Sequence, residues 1–147
     1  MHIVLHQPEI PQNTGNIGRT CVALGAKLWL VRPLGFRMDG AGRKRAGLDY
    51  WEHLDWEIAD HWQQLLEHLP VERMWFFSKR ATKLYTDVEY KPDDVLVFGS
   101  ETQGLPQSML DEFPERALRI PMKDPVRSLN LAVSVGIAGY WMATQTR

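Results

Sequence analysis

Cysteine is almost absent from this chain of 147 residues: Cys21 stands alone, so no internal disulfide can form. Placed in an apolar stretch with helical spacing, Cys21 reads as a small buried hydrophobe in a reducing compartment. Long hydrophobic runs are missing too. None approaches the roughly 20 residues that cross a bilayer, and Met1-His2-Ile3-Val4-Leu5-His6 is too short and too uncharged for a secretory signal. A soluble, cytoplasmic protein with no membrane association is expected. Excess charge of either sign is lacking: 17 Lys and Arg oppose 18 Asp and Glu, for a net charge of −1. That balance excludes a generally basic nucleic-acid coat, so any RNA contact must come from local patches or from a surface assembled by oligomerisation.

Several chemistry-bearing patterns are absent as well. There is no Gly-x-Gly-x-x-Gly and no Gly-Lys-Ser/Thr, which disfavours a nicotinamide or ATP site. No Gly-x-Ser-x-Gly elbow occurs and no histidine lies near Ser128 in sequence, so a serine hydrolase is not expected. His61 and His68 fall seven apart on one expected helix, while His2, His6 and His53 lack ligand-spaced partners; no metal site is expected.

What is present is an alternation of short apolar runs with helical patterns along the whole length. That alternation marks an α/β fold with a mostly parallel sheet flanked by helices, in one domain spanning residues 1–147. Strands are expected at Ile3-Val4-Leu5, Leu28-Trp29-Leu30-Val31, Trp56-Glu57-Ile58, Met74-Trp75-Phe76-Phe77, Val95-Leu96-Val97-Phe98 and Leu118-Arg119-Ile120. Pro8 to Pro11 make a loop, and Asn13 or Thr14 is expected to cap a helix ending at Gly25. Asp60 to Leu69 reads as a helix whose Trp62, Leu65, Leu66 and Leu69 share a core-facing stripe. A short helix over Pro106 to Asp111 and a final helix from Leu129 to about Thr144 complete the pattern.

Three segments concentrate the polar and Gly/Pro residues. In Pro11-Gln12-Asn13-Thr14-Gly15-Asn16-Ile17-Gly18-Arg19 a loop enters a helix whose free N–H groups can hold an anion, with Arg19 on its first turns; equally, the polar residues only cap the helix and Arg19 is a solvated cation. In Gly99-Ser100-Glu101-Thr102-Gln103-Gly104-Leu105-Pro106 two glycines allow backbone to approach a ligand, and Glu101 either meets substrate or accepts backbone N–H bonds that hold the loop. Ile120-Pro121-Met122 through Arg127-Ser128-Leu129-Asn130 is expected to end in Ser128 as helix cap, with Asn130 in the first turn. Two of these loops follow the carboxyl ends of expected strands, where open α/β sheets bind ligands. Ala132, Gly136 and Gly139 in the final helix cost helix propensity, about 1 kcal/mol per glycine, and point to close approach of another helix, within the chain or across a dimer.

Together Pro11 to Arg19, Arg45-Ala46-Gly47-Leu48-Asp49-Tyr50, Phe98 to Pro106, Arg119-Ile120-Pro121-Met122 and Arg127-Ser128-Leu129-Asn130-Leu131 closely resemble the SPOUT class of RNA methyltransferases, and more narrowly the TrmL (YibK) family of tRNA 2′-O-methyltransferases. The resemblance covers essentially the whole chain. It implies a C-terminal deep trefoil knot, which sequence physics would not supply, since chains rarely thread loops. It further implies S-adenosylmethionine bound by three loops, here Phe77-Ser78, Gly99 to Gly104 and Ile120 to Leu129, with Phe77, Gly99, Ile120, Met122, Ser128 and Leu129 as cofactor-binding residues. A homodimer completing the site, and methylation of the wobble cytidine or uridine of leucine tRNAs, are implied likewise. By similarity Arg19 is the principal catalytic residue, with Asn13, Glu101, Ser128 and Asn130 organising it and the ribose. Because a guanidinium holds its proton up to a pKa above about 12, Arg19 is read as orienting the phosphate and hydroxyl, and the general base stays open. Tyr140, Arg43 and Lys44 are candidate substrate contacts, as are Arg45 and the cluster Lys79, Arg80 and Lys83; solvated loops are the alternative. One departure stands out: relatives commonly continue Asn-Leu-Ser-Asn-Ala-Val where this chain has Asn130-Leu131-Ala132-Val133-Ser134-Val135. A ribosomal RNA 2′-O-methyltransferase and a catalytically silent RNA- or cofactor-binding protein are the competing readings.

Overall fold

The computed structural model describes residues 1–38 and 50–147. Its strands are β1 (His2–His6), β2 (Lys27–Val31), β3 (Trp56–Ala59), β4 (Met74–Phe77), β5 (Lys83–Leu84), β6 (Val95–Phe98) and β7 (Ala117–Arg119). Its helices are α1 (Pro11–Leu24), α2 (Trp62–Leu66), α3 (Gln107–Glu112) and α4 (Leu131–Gln145), joined by single 3₁₀ turns at Trp51–His53, Val71–Arg73 and Pro114–Arg116. Every strand pairing is parallel, in the order β3-β2-β1-β6-β4-β7-β5.

Alternation along each strand sorts the core into two layers. Ile3 and Leu5 of β1, Leu28 and Leu30 of β2, and Leu96 and Phe98 of β6 face α1 and α4, packing with Ile17, Cys21, Val135, Ala138 and Met142. Val4, Trp29, Val31, Phe76, Val95 and Val97 face the other way, onto Leu65 of α2 and Met109 and Leu110 of α3. Central strands buried on both faces are apolar at consecutive positions, as β6 is throughout. Cys21 is fully buried in the first layer, and burial pushes its thiol pKa up to about 12.

The order of strands differs from the order of the chain in one informative way. β1, β2 and β3 extend the sheet in one direction, β4 then lies two places away on the far side of β1, and β6 fills the place between β1 and β4. β7 likewise enters between β4 and the two-residue edge strand β5. The carboxyl ends of β6, β4 and β7 are therefore adjacent, and the loops after them emerge side by side.

Several expected boundaries shift. α1 starts at Pro11, not at Asn13 or Thr14: Ile10 is the cap residue without a side-chain bond, and proline takes the first helical position, where its missing N–H costs nothing. Gly25 ends α1 as expected, in the left-handed region at φ 67°. The helix expected over Asp60 to Leu69 is only Trp62–Leu66, closed at Glu67; Pro70 disfavours helical geometry at Leu69, so the expected last residue could not belong to it. His61 and His68 thus do not share a helix; the His61 ring accepts from Gln64 N at 3.2 Å, and His68 packs on Trp29 with ring centroids 5.3 Å apart. The stripe Leu65 and Leu69 is buried nonetheless, with Trp62 and Leu66 packed against it. Two-residue β5 escaped the sequence reading because it is too short to show a period.

Candidate active site at the carboxyl ends of β4, β6 and β7

The loop after β6 folds back on itself. Ser100 and Gly104 form an isolated antiparallel bridge, and Gly104 N donates to Ser100 O at 3.0 Å. A Cβ on Gly99 would lie 2.1 Å from the Gly104 carbonyl carbon, and Gly104 itself sits at φ 68°, so both glycines are demanded by the turn. Arg80, from the loop after β4, donates to Leu105 O and to Gln107 Oε1 and ties the end of this turn to its neighbour loop. In sequence Arg80 reads as a candidate phosphate contact or a solvated cation; only the fold reveals this structural duty.

Glu101 projects from the turn onto the start of α1. Its Oε1 accepts Glu9 N at 2.8 Å, and its Oε2 accepts Ile10 N at 2.7 Å and Asn13 Nδ2 at 3.2 Å. The anion held at the amino end of α1 is therefore the protein's own carboxylate, 91 residues away in sequence from Ile10. Thr102 reinforces the join by donating to Glu9 Oε1 at 2.7 Å. The chain of bonds continues: Asn130 Nδ2 donates to Asn13 Oδ1 at 3.0 Å, while Asn130 Oδ1 accepts Ala132 N at 2.8 Å and Val133 N at 3.2 Å. Asn130, not Ser128, is thus the cap of α4, since its side chain reaches two free N–H groups of the first turn. One continuous relay, Glu101 to Asn13 to Asn130, joins the three segments singled out in the sequence.

Around this relay lies a cavity of about 390 Å³ whose walls include Phe77, Gly99, Ile120, Met122, Ser128 and Leu129, together with Asn13, Glu101 and Asn130. All six expected cofactor-binding residues and three of the four expected catalytic residues meet there. Phe77 and Phe98 also line it and stack at 4.7 Å between centroids, giving the cavity an apolar wall at the ends of two neighbouring strands. Its volume and mixed lining suit a small organic ligand.

Arg19 is not among the cavity residues. It sits in the third turn of α1 rather than the first turns, exposed, with its guanidinium carbon 5.0 Å from the centre of the Tyr50 ring. Tyr140 is 52% exposed on α4 and lies outside the cavity. Arg43 and Lys44, with Arg45, fall outside the described residues. Of the second basic cluster, Arg80 is engaged as above and Lys83 Nζ donates to Glu115 O at 3.2 Å, which leaves Lys79 on the cavity wall. Sequence reasoning missed Ile10 and Glu9, whose contributions are backbone N–H and a carboxylate on the far side of the turn.

A parallel sheet with loops from three adjacent strand ends closing on one cavity defines an α/β protein that binds a small ligand at a topological switch point. The match of residues 1–140 to the SpoU rRNA Methylase family model makes the chain a member of that family, and so a methyltransferase. It is 42% identical over 139 residues, 94% of this chain and 90% of the other, to the tRNA (cytidine(34)-2′-O)-methyltransferase of Methylovorus glucosotrophus. A solved structure concerned with the 2-OH methylation of C/U34 on tRNA is 50% identical, superposes with a TM-score of 0.91, and is matched over 98% of this chain and 94% of that one. A SpoU methyltransferase of Streptomyces viridochromogenes in complex with AdoMet shares the fold alone, with a TM-score of 0.84 at 20% identity over 99% of this chain and 57% of that one.

Proposed function

We propose that this enzyme transfers a methyl group from S-adenosylmethionine to the ribose 2′-hydroxyl of the cytidine or uridine at position 34 of tRNA. The observation that carries the reading is the single relay Glu101–Asn13–Asn130 on the wall of the three-loop cavity, in a chain that is similar over nearly its whole length to position-34 methyltransferases.

The cavity fits the cofactor on its own terms. The stacked Phe77 and Phe98 offer apolar surface, and the turns at Gly99 to Gly104 and Ile120 to Leu129 offer backbone donors and acceptors within a volume of ordinary ligand size. When bound, the cofactor supplies an electrophilic methyl on a sulfonium: the S–CH₃ bond breaks as O–CH₃ forms, sulfur becomes a neutral thioether, and the hydroxyl proton leaves. The protein's work is then to hold the oxygen in line and to take up that proton, and positioning alone is worth several orders of magnitude in rate. Glu101 fixes the turn, Asn13 and Asn130 present amide groups at the cavity, and Ser128 and Leu129 close its far side. Arg19 orients the phosphate beside the target ribose.

Arg19 does not reach the cavity of its own chain, so the reading includes a homodimer. α4 supports this: it has no charged residue, and Val133 and Tyr140, 50% and 52% exposed, stand on its outer side with Trp141. The two glycines divide the work. Gly139 meets Leu24 of α1, where a Cβ would come within 2.8 Å, whereas Gly136 faces open space suited to a second helix. Ser134 of the same helix lines the cavity, so a subunit docked on α4 stands beside the site. The late entry of β6 and β7 between strands already laid down supports a threaded, knotted C-terminal part within one domain over residues 1–147. A reducing cytoplasm, where tRNA is found, suits the lone buried thiol.

The test is transfer of labelled methyl from S-adenosylmethionine to bulk tRNA lacking this modification, followed by digestion to nucleosides. Label in 2′-O-methylcytidine or 2′-O-methyluridine is expected. Clear cofactor binding with no transfer to tRNA would redirect the reading to ribosomal RNA or to a silent protein.

A further inference from the structure

A second, smaller hollow of about 310 Å³ adjoins the cofactor cavity and shares Lys79, Ile120 and Met122 with it. Its rim carries Lys79, Arg119 and Arg127 against the one carboxylate of Asp124. Among the described residues, none of these three cations makes a hydrogen bond or ion pair through its side chain. Cations elsewhere on the molecule do find partners. Arg32 pairs with Asp60, Arg73 with Asp93 and Asp94, Lys27 with Asp55 and Glu57, and Arg116 lies over Trp75. Arg119 is moreover only partly exposed, at the end of β7, which holds its stem against the sheet edge. Val126, 50% exposed, adds apolar surface to the same rim.

We infer that this hollow is a phosphate subsite for the RNA strand: Arg119 and Arg127, with Lys79 between the two cavities, grip the backbone of nucleotides flanking the one whose ribose enters the cofactor cavity. The inference rests on the proposed RNA substrate and goes further by assigning where its backbone runs. Three cations spaced around one hollow suit successive phosphates, and arginine matches phosphate oxygens in a two-pronged geometry. Such contacts position the strand without reading bases. The shared wall explains why like charges gather there without acceptors among the described residues: the counter-ions arrive with the substrate.

Arg119→Gln, Arg127→Gln and Arg127→Lys variants test this by tRNA binding across a salt series, with S-adenosylmethionine binding by calorimetry in parallel. Each Gln variant should weaken tRNA binding about five- to eightfold at 0.1 M salt and reduce the slope of log affinity against log salt by about 0.7 to 0.9, the release from one phosphate contact. Arg127→Lys should retain most of the slope, since the charge remains. Cofactor affinity should stay within about twofold, as neither arginine lines the cofactor cavity. Unchanged tRNA affinity and slope would overturn the inference. So would a fall in cofactor affinity matching the fall for tRNA, which would assign the cations to the cofactor's carboxylate. A wild-type protein that neither binds nor methylates tRNA would remove the proposed function itself and the subsite with it, whereas a methylating wild type with unaltered variants would remove the subsite alone.

Discussion

The two ends of the sheet make different use of the same kinds of residue. At the amino ends of β1, β2, β3 and β6 a hollow of about 380 Å³ is lined by His2, Lys27, Trp29, Glu57, His68 and Asp93 among others. Its charges are spent on one another. Lys27 bridges to Glu57, which raises its pKa, and lies 4.7 Å from the Trp29 ring centre; Trp29 Nε1 donates to His2 Nδ1, whose pKa is lowered chiefly by burial. Asp94, buried, takes bonds from Arg73, Trp75 and the backbone of Lys91. At the carboxyl ends, by contrast, polar groups are organised by one relay yet left open to a cavity, and three cations stand without acceptors among the described residues. A hollow by itself says little about function. Unspent hydrogen-bonding capacity held rigidly at a strand terminus says more.

Substitutions at the two ends should separate these uses. The largest effect is expected at Arg19: Arg19→Lys should leave cofactor affinity unchanged, because the side chain is outside the cavity, and lower single-turnover methyl transfer by roughly 100-fold through loss of the planar, forked contact. Calorimetry beside rapid-quench transfer reads both, and near-normal turnover would refute the role. Glu101→Ala removes the acceptor of two backbone N–H groups and of the Asn13 amide, and should cost about 2–3 kcal/mol in urea unfolding with a parallel loss of cofactor affinity. Asn130→Ala should cost about 1 kcal/mol as a lost helix cap, while Ser128→Ala, which caps nothing, should leave stability within a few tenths and act on cofactor binding only. At the opposite end, Glu57→Ala breaks a half-exposed ion pair and should change stability by less than about 1 kcal/mol, with no effect on methyl transfer. Equal losses for Glu101→Ala and Glu57→Ala would erase the distinction between the two ends.

Much of the site was legible because its signals are local. Gly99 and Gly104 announce a tight turn, the apolar run 95–98 announces the strand beneath it, and parallel sheets bind ligands at strand carboxyl ends. What could not be read is what depends on the order of strands. Nothing local to Val95–Phe98 says that the strand lies between β1 and β4, and so nothing says that Glu101 will meet Ile10 rather than solvent. The choice between Ser128 and Asn130 as cap failed for a related reason: both are good caps by type, and Asn130 wins because its amide also completes a bond to Asn13 from the other end of the chain. Arg19 is expected to lead, with Asn13 and Asn130 organising it, yet only the last two reach the cavity, and the separation is visible only with α1 in place.

The proposed chemistry requires the cofactor to lie at the carboxyl ends of β4, β6 and β7. A crystal structure of the full chain with S-adenosylhomocysteine tests it directly. Density against Phe77, Gly99, Ile120 and Leu129, with the Glu101–Asn13–Asn130 relay intact beside it, is the predicted result. Density in the hollow of His2, Lys27 and Trp29, or outside both, would contradict the account.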